Sequence, residues 1–371
     1  MSDNLIIKNG NIFFPDCKFH RGTLAITNGV ITNEPSQYAE VIDAENLFIT
    51  PGLVDIHFHG CAGYDFCDGT DEAFRAIYDY ETSQGITTLC PATMTLPEER
   101  LTRIVTAAKD FNEFAGINLE GPFISPAKIG AQNPAFIAKP DVNMLRRLQD
   151  SSGGLIKIAV VAPEVDGAVS FIQEAKDIAK ISLAHTACDY DTAKRAFEAG
   201  INHVTHLYNA MNPINHRQPG PVIAALENNN VEVELICDGV HVHPVVVRST
   251  LKAFGTDRVI FISDSMEATG MKDGIYELGG QKVIKTGNKA TLEDGITIAG
   301  SVTNLMECVR IAVKKMNVPL EDAVKCASIN PGKSIGLDVN LKAGNYANIL
   351  ALDKELNLVW VMKNGRIINP L

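Results

Sequence analysis

The residues of this sequence best suited to chemistry are histidines and carboxylates that stand at or just after the ends of apolar runs. His57 and His59 flank one residue at the end of such a run, so both side chains point to the same face. Burying so many polar groups without partners would cost several kcal/mol. A divalent metal would relieve this cost, because imidazole nitrogen and carboxylate oxygen are good ligands for zinc or iron. The pattern therefore predicts a divalent-metal site and leaves the number of ions open. The seven positions are His57, His59, Glu120, His185, His206, His241 and Asp264.

These positions are far apart in the chain, and repeated strand–helix units are the elements that bring them together. Each apolar run is followed by an amphipathic stretch whose apolar residues recur at spacings of three and four. Eight such units predict a TIM-like (β/α)8 barrel, in which the carboxyl ends of the strands form one rim that carries the catalytic groups. An open doubly wound sheet is the alternative, although no GxGxxG motif follows the first strand. The runs end near DIHFHG, ITTLCPAT, INLEGP, IKIAVVAPE, ISLAHTA, INHVTHLYN, VEVELICDGVH and RVIFISDS.

Both ends of the chain are predicted to form β structure. Asn-Gly pairs that begin at Asn9, Asn28 and Asn364 predict hairpins, because this dipeptide accommodates positive φ at little cost. Since an isolated hairpin is barely stable, we expect the two ends to pair as one small β-sandwich domain. The predicted division is residues 1–50 plus 336–371 for the small domain and 51–335 for the barrel, with a β-hairpin insertion near 275–300.

Composition excludes several classes of protein. The 371 residues carry 33 basic and 44 acidic side chains, a net charge of −11, which disfavours nucleic acid because phosphate contacts need clustered lysine and arginine. No stretch approaches the roughly 18 apolar residues of a membrane span, and the start lacks a basic region followed by an apolar run. We therefore expect a cytoplasmic protein with no membrane partner, whose eight cysteines are free thiols.

Several longer motifs resemble those of a known family. PGLVDIHFHG, LEGPF, the AHT around His185, HLYNAMNP, DGVH and the strand-eight aspartate together resemble the amidohydrolase superfamily, and more narrowly its N-acetylglucosamine-6-phosphate deacetylases. The resemblance covers nearly the whole chain, and LEGPF and HLYNAMNP are much more specific than HxH, which many metal hydrolases share. It implies an amidohydrolase-type barrel with a split β domain. It also implies hydrolysis of an N-acetyl-sugar 6-phosphate to an amino sugar 6-phosphate and acetate, in amino-sugar catabolism.

The resemblance implies a particular set of metal ligands. The family's main metal site maps onto Glu120, His185 and His206, three ligands that leave a position for water. His57 and His59 would hold a second ion, with Glu120 as the bridge, so one or two ions are expected. Zinc is the expected metal, with iron, cobalt or manganese as alternatives.

The resemblance also assigns catalytic and substrate-binding residues. Asp264 is the expected general base for the attacking water and general acid for the leaving amine. His241 is expected to donate a hydrogen bond to the amide carbonyl oxygen as negative charge builds there. The expected substrate-binding residues are Ala131, Gln132, Asn209, Ala210, Arg217, His241, Ile298, Ala299 and Gly300.

Two of these positions bear on assembly and specificity. Arg217 falls on the family's phosphate-binding arginine, which reaches across from a neighbouring subunit, so a homodimer that binds a sugar phosphate is expected. Gln132 stands where family members often carry histidine, in a stretch that here reads GAQNP. Glutamine can still hydrogen-bond a sugar hydroxyl but cannot become charged, so the preference between sugar epimers stays open.

Other functions also stay open at this point. The galactosamine epimer or another amide is an alternative substrate. Relatives that hydrolyse cyclic amides usually have a carboxylated lysine at the end of strand four, whereas this chain has Lys157 at its beginning and Glu164 after its end. A non-catalytic barrel acting as a binding subunit should have lost ligands or the acid/base, and none is missing here.

Overall fold

Strands from both ends of the chain build one mixed sheet, and the middle of the chain builds a parallel barrel. The computed structural model describes residues 4–34 and 36–370. The first five strands are β1 (Asn4–Phe13), β2 (Phe19–Thr27), β3 (Val30–Thr32), β4 (Glu40–Asp43) and β5 (Phe48–Pro51). The next ten are β6 (Leu53–Asp55), β7 (Gly60–Cys61), β8 (Tyr64–Asp65), β9 (Ile86–Leu89), β10 (Ile117–Leu119), β11 (Ile156–Val161), β12 (Lys180–Leu183), β13 (His203–Val204), β14 (Glu232–Ile236) and β15 (Val259–Ile262). The last six are β16 (Gly274–Leu278), β17 (Gln281–Thr286), β18 (Lys289–Leu292), β19 (Ile349–Leu352), β20 (Leu358–Lys363) and β21 (Arg366–Pro370).

The barrel is a ring of eight parallel strands, β6, β9 and β10 to β15. Strands β10 to β15 are hydrogen-bonded in chain order, β6 pairs with β9, and a parallel bridge between Ala92 and Asn118 joins the end of β9 to β10. The ring closes where the Asp264 amide donates to the His57 carbonyl at 2.9 Å. The predicted (β/α)8 barrel is therefore confirmed, and the open doubly wound sheet is excluded.

Helices follow the barrel strands, and local sequence explains their ends. The Thr70 hydroxyl caps the first helix by accepting from the Ala73 amide, and Asp189 caps the fifth by accepting from Thr192. Gly200 ends the fifth helix with a φ of 139°. In the described part of the chain, no helix combines the length and apolarity needed to cross a membrane. The helices are α1 (Asp71–Ser83), α2 (Glu98–Phe111), α3 (Val142–Ser151), α4 (Ala168–Ala175), α5 (Tyr190–Ala199), α6 (Gly220–Glu227), α7 (Pro244–Phe254), α8 (Leu305–Lys314), α9 (Leu320–Val324) and α10 (Asn330–Ser334), with a π-helical segment at Lys325–Ile329 and 3-10 turns at Phe66–Asp68, Pro126–Lys128 and Pro134–Phe136.

Alternation along the barrel strands divides the apolar core in two. Val54, Ile158, Ile236 and Ile260 belong to one buried cluster inside the barrel. Leu235, which directly precedes Ile236 on β14, belongs instead to the large cluster between the barrel and its helices. Because residues two apart in a strand face the same side, this division shows which side chains point into the barrel.

The two ends of the chain form one continuous sheet. Its strand order is β21-β20-β19-β5-β1-β2-β3, and β4 pairs with the first half of β1 on the same edge as β5, opposite β2. Buried residues from both ends, among them Leu5, Ile7, Ile349 and Trp360, form a separate core of this sheet. The predicted fold class, a barrel with a small β domain built from both termini, is thus confirmed.

The Asn-Gly pairs do not all make turns. The pairs at Asn28 and Asn364 connect β2 to β3 and β20 to β21 as two-residue turns. The pair at Asn9 lies inside β1, where the pairing with β2 shifts register, so the predicted hairpin there is wrong. A Cβ on Gly10 would lie 2.7 Å from Ile49, and this close approach, rather than a turn, requires the glycine.

A three-stranded antiparallel sheet, β16-β17-β18, follows the eighth barrel strand. The Gln281 side chain, on β17, donates to the Ala131 carbonyl. The segment after β18 returns to the barrel, where the Ser301 amide donates to the Asp264 carbonyl at 2.7 Å. This sheet therefore helps to wall the mouth of the barrel.

Candidate active site

Most of the predicted site residues line one cavity at the carboxyl ends of the barrel strands. The cavity has a volume of about 320 Å³, within the usual range for small-molecule sites of about 300–1,000 Å³. Histidines and carboxylates line it together with apolar residues and backbone, a composition suited to a polar ligand. The predicted residues that line it are His59, Glu120, Ala131, Gln132, His185, His206, Asn209, Ala210, His241, Asp264, Ile298 and Gly300.

Glu120, His185 and His206 meet inside this cavity. Glu120 Oε1 lies 3.1 Å from His185 Nε2 and 3.0 Å from His206 Nε2, and the two imidazole nitrogens are 3.1 Å apart. All three side chains are buried. Their potential ligand atoms lie within 4.8 Å of one another, so the three residues can reach a common ion.

His57, His59 and Asp264 form a second buried group beside the first. Asp264 Oδ1 lies 3.7 Å from His57 Nε2 and 3.4 Å from His59 Nε2. Glu120 also contacts this group, because its Oε1 is 3.5 Å from His57 Nε2 and its Oε2 is 3.3 Å from His59 Nε2. Glu120 thus lies between the two groups, where a bridging ligand would be.

Burial and opposite charges act against each other on the pKa values of these residues. Burial raises the pKa of Glu120, but the surrounding histidines outweigh it and hold this pKa well below its usual range. Burial likewise raises the pKa of Asp264, and contacts with His59 and then His57 outweigh it, so the net shift is downward. Burial lowers the pKa of His59, but its hydrogen bonds to Asp264 and Glu120 raise it to about 10. Both carboxylates are therefore ionised at neutral pH, with positive charge gathered around them.

The donor atoms of both groups fit a divalent cation. Among the described residues, His57 Nε2 has no hydrogen-bond partner, although it faces the Glu120 and Asp264 carboxylates. His185 Nδ1 is hydrogen-bonded to the Lys128 carbonyl at 2.9 Å, so Nε2, which faces Glu120, is the nitrogen that can bind a cation. A cation bound by these nitrogens takes the place of protons that the imidazoles would otherwise hold. Imidazole nitrogen and carboxylate oxygen are the ligands that zinc and similar divalent ions accept.

Three of the predicted metal-binding and catalytic residues have a left-handed backbone. The φ angles are 44° at His185, 30° at His206 and 50° at Asp264, and each residue stands two positions after the end of its barrel strand. Such angles cost a non-glycine residue on the order of 1–3 kcal/mol and persist only where the surroundings fix them. These turns direct the strand-end side chains into the cavity.

His241 is oriented by an aspartate three residues earlier. Asp238 Oδ2 lies 2.7 Å from His241 Nδ1, and Asp238 Oδ1 accepts the amides of Val240 and His241, both at 2.9 Å. Burial lowers the pKa of His241, but Asp238 outweighs it and leaves this pKa raised. Because Nδ1 is bound to Asp238, Nε2 is the nitrogen that can donate to a ligand.

Gln132 is bound at both ends of its side-chain amide. Its oxygen accepts the Thr95 amide at 2.7 Å, and its nitrogen donates to Glu120 Oε2 at 2.7 Å. The side chain is almost fully buried, although it lines the cavity. The glutamine that departs from the family pattern therefore contacts a predicted metal ligand directly.

The other predicted substrate-binding residues surround the cavity from two sides. Asn209 and Ala210 line it, and the Asn209 side chain donates to the His206 carbonyl at 3.2 Å. Ile298 and Gly300 line it from the segment after β18. Ala299 is fully buried between them, and its amide donates to the Ala290 carbonyl at 3.2 Å.

Arg217 is the one predicted substrate-binding residue that lies well away from this cavity. It is exposed, and its guanidinium lies 2.8 Å from His216 Nε2. It lines a separate surface pocket with Asp189 and Asn212. A residue that serves a neighbouring subunit would lie outside the cavity of its own chain, and this role stays a prediction.

Sequence reasoning missed two carboxylates that support the site. Asp238 orients His241, and Glu234 contacts His57. Both signals were present in the stretch VEVELICDGVH. A charged residue within an apolar strand, such as Glu234, indicates a buried partner of opposite charge. An aspartate three positions before a predicted catalytic histidine, such as Asp238, indicates a partner for that histidine.

Comparisons with known proteins agree with this geometry. The sequence profile of the amidohydrolase family matches residues 48–368. An N-acetylglucosamine-6-phosphate deacetylase of Bacillus subtilis (strain 168) is 33% identical over an alignment of 383 positions, which covers 99% of this chain and 94% of that protein. An N-acetylgalactosamine-6-phosphate deacetylase of Escherichia coli O157:H7 is 31% identical over 355 aligned residues, covering 93% of this chain and 94% of that protein.

A solved structure is also similar over its full length. It is that of a mutant N-acetyl-D-glucosamine-6-phosphate deacetylase from Mycobacterium smegmatis in complex with N-acetyl-D-glucosamine-6-phosphate. The TM-score is 0.94 and the sequence identity 32%, and 99% of each chain is covered. The similarity therefore includes both the barrel and the terminal sheet.

Proposed function

The chain belongs to the amidohydrolase family, and from that premise we propose that it hydrolyses the N-acetyl group of N-acetylglucosamine 6-phosphate to glucosamine 6-phosphate and acetate. The observation that carries the proposal is the meeting of Glu120, His185 and His206 beside Asp264 in one cavity. The similarity to deacetylases over nearly the whole chain selects this reaction among those of the family.

The proposed cofactor is a divalent metal, one or two ions, with zinc as the first candidate and iron, cobalt or manganese as alternatives. Glu120, His185 and His206 would hold the main ion, and His57 and His59 a second one. When bound, such an ion lowers the pKa of water to about 7 and polarises the amide carbonyl.

Asp264 moves the proton in the proposed reaction. Its carboxylate, ionised at neutral pH, accepts a proton from the water that attacks the acetyl carbon. The same proton then goes to the amide nitrogen as the C–N bond breaks, which gives the free amine and acetic acid. The acid still carries the second proton of the water and loses it to solvent at neutral pH to become acetate. An amide nitrogen leaves poorly unless it is protonated, so the second step is as necessary as the first.

His241 stabilises the charge that develops on the carbonyl oxygen. Asp238 holds its Nδ1, so Nε2–H can donate to that oxygen as the tetrahedral centre forms. The raised pKa of His241 favours the protonated ring, and a hydrogen bond from a protonated ring to the developing oxyanion is charge-assisted.

The sugar phosphate is proposed to bind between the barrel mouth and the segment after β18. Backbone groups of Ala131, Ala210 and of Ile298 to Gly300, with the side chains of Asn209 and Gln132, would contact the sugar. Arg217 of a neighbouring subunit would hold the phosphate bidentately, which makes the active form a homodimer. We further propose that the protein works in the cytoplasm, where phosphorylated sugars are metabolised.

The test is to measure acetate release from two acetylated sugar phosphates, N-acetylglucosamine 6-phosphate and N-acetylgalactosamine 6-phosphate. We expect faster turnover of the gluco epimer, loss of turnover after chelation, and recovery when Zn²⁺ is returned. Preference for the galacto epimer would instead assign the alternative substrate, which the E. coli relative also suggests. Undiminished turnover in thoroughly metal-free protein would refute the mechanism.

A further inference from the structure

A carboxylate that the proposed mechanism does not use lies behind the predicted metal ligands. Glu234, on β14, is fully buried. Its neighbours Val233 and Leu235 belong to the outer core, whereas Ile236 belongs to the cluster inside the barrel, so strand alternation points Glu234 inward. A charge inside an apolar barrel costs several kcal/mol unless partners compensate for it. Its partners are therefore informative.

One oxygen of Glu234 contacts both predicted ligand groups. Glu234 Oε2 lies 2.8 Å from His57 Nδ1 and accepts the backbone N–H of His206 at 3.1 Å. His57 belongs with His59 and Asp264, whereas His206 belongs with the other group. Because His206 has a φ of 30°, the bond to its amide also helps to hold a strained turn in place.

The bond to His57 determines which ring nitrogen faces the ligands. Glu234 Oε2 accepts the His206 amide, so it is the acceptor of this bond as well, and the hydrogen of the bond sits on Nδ1. Nε2 is then the atom available to a metal, and it lies 3.5 Å from Glu120 and 3.7 Å from Asp264. A carboxylate behind a histidine also increases the basicity of the ligand nitrogen.

The other carboxylate oxygen of Glu234, Oε1, faces a group of buried polar residues. Glu234 Oε1 has His203 Nε2 at 3.6 Å, and His203 Nδ1 lies 2.9 Å from the Ser182 hydroxyl. Ser182 in turn is hydrogen-bonded to Thr205 at 2.6 Å. These residues are fully buried, so Glu234 is enclosed by protein on both sides.

We propose that Glu234 is a positioning residue of the metal centre. It orients His57 towards a second ion and ties that ligand group to the turn that carries His206. The inference rests on the proposed function, since it concerns the same metal centre, and it deepens that function by naming the residue on which binding of the second ion depends.

The test is a metal titration of Glu234→Gln and Glu234→Leu, with Glu232→Gln as the matched control. Glutamine keeps the size and one acceptor oxygen without the charge, and leucine removes the acceptor. Glu232 lies on the same strand, but its carboxylate pairs with Lys180 Nζ at 2.6 Å and does not contact the ligands. Metal-free proteins are titrated with Zn²⁺ against a chelating indicator, and the absorption spectrum with Co²⁺ reports the ligand geometry.

We expect wild type and Glu232→Gln to bind two ions. In Glu234→Gln the second ion should bind about 10–100-fold more weakly and the first ion should be unchanged, because glutamine keeps an acceptor for the His206 amide. In Glu234→Leu the second ion should bind more weakly still, the first ion should be weakened less than the second, and the Co²⁺ spectrum should change. Two tightly bound ions in both Glu234 variants, equal weakening of both ions, or a wild type that takes up a single ion would each overturn the inference. If the leucine variant does not fold, Glu234→Gln alone decides. Deacetylation by wild type without any ion would instead contradict the proposed function, so the two failures are distinguishable.

Discussion

Replacing Gln132 with leucine removes two hydrogen bonds from one buried amide. In the wild type this amide accepts the Thr95 N–H at 2.7 Å and donates to Glu120 at 2.7 Å. Leucine has a similar size but can do neither, so the Thr95 N–H is left buried without an acceptor and Glu120 loses a donor. The perturbation is therefore confined to hydrogen bonding at the site.

The size of the effect follows from these two contacts. A buried N–H without an acceptor costs about 1–3 kcal/mol, and a hydrogen bond to a charged group contributes about 1.5–3 kcal/mol. The apolar surface that leucine buries offsets part of this loss. We expect Gln132→Leu to lower the free energy of unfolding by about 2–4 kcal/mol.

The assay is thermal unfolding of metal-free protein, because a bound ion stabilises the folded state by mass action and would mask the loss. At about 2–4 °C per kcal/mol, a figure typical of domains of 150–250 residues, the midpoint should fall by several degrees. Gln173→Leu is the control, since Gln173 is exposed on α4. A midpoint for Gln132→Leu that equals the control's would refute the reasoning and show that the two bonds contribute nothing net.

Three further predictions test the site and its surroundings. Asp264→Asn should slow acetate release by about 10²–10⁴-fold, and an unchanged rate would rule out Asp264 as the proton carrier. Arg217→Ala should raise KM for the phosphorylated sugar by about 10–100-fold and leave the unphosphorylated sugar nearly unaffected, whereas equal changes in steady-state kinetics would contradict its assignment. Burial, and then the charge of Asp55, raise the pKa of Glu81 to about 8, so the folded protein loses stability as pH rises from the ordinary glutamate range to pH 8. In thermal unfolding, Glu81→Gln should therefore be the more stable protein by on the order of 5 kcal/mol above pH 8 and equally stable near pH 4. A constant difference across pH would show that ionisation of Glu81 is not the cause.

The barrel could be predicted because its signals are local. Each strand is a short apolar run and each helix shows a spacing of three and four, so the strand–helix alternation is visible without tertiary information. The hairpin predicted at Asn9 was wrong because an Asn-Gly pair fits an irregularity inside a strand as well as it fits a turn. Only a tertiary contact, the close approach of Gly10 to Ile49, distinguishes the two cases. The division of the chain after residue 50 and before residue 336 stays a prediction.

The metal ligands could be predicted in part from chemistry, since histidines and carboxylates at successive strand ends converge in any barrel. Their roles came from resemblance to a family and not from spacing. Contacts such as those of Gln132 with Glu120 depend on how loops fold back over the barrel, and the sequence has no periodicity that reveals them. Asp238 lies close to His241 in the chain and was within reach of sequence reasoning, whereas the partner of Glu234 is 177 residues away.

Closure of the barrel and placement of the ligands depend on the same hydrogen bonds. The Asp264 amide closes the ring by donating to the His57 carbonyl at 2.9 Å, and both residues carry side chains of the second ligand group. The His206 amide donates to Glu234, and the His185 carbonyl accepts from the Ser125 amide at 3.0 Å. His185, His206 and Asp264 are thus each held by a hydrogen bond from a backbone group to another segment, which is the condition under which such strain persists. It follows that a substitution which loosens the strand ends should disturb metal binding before it unfolds the barrel.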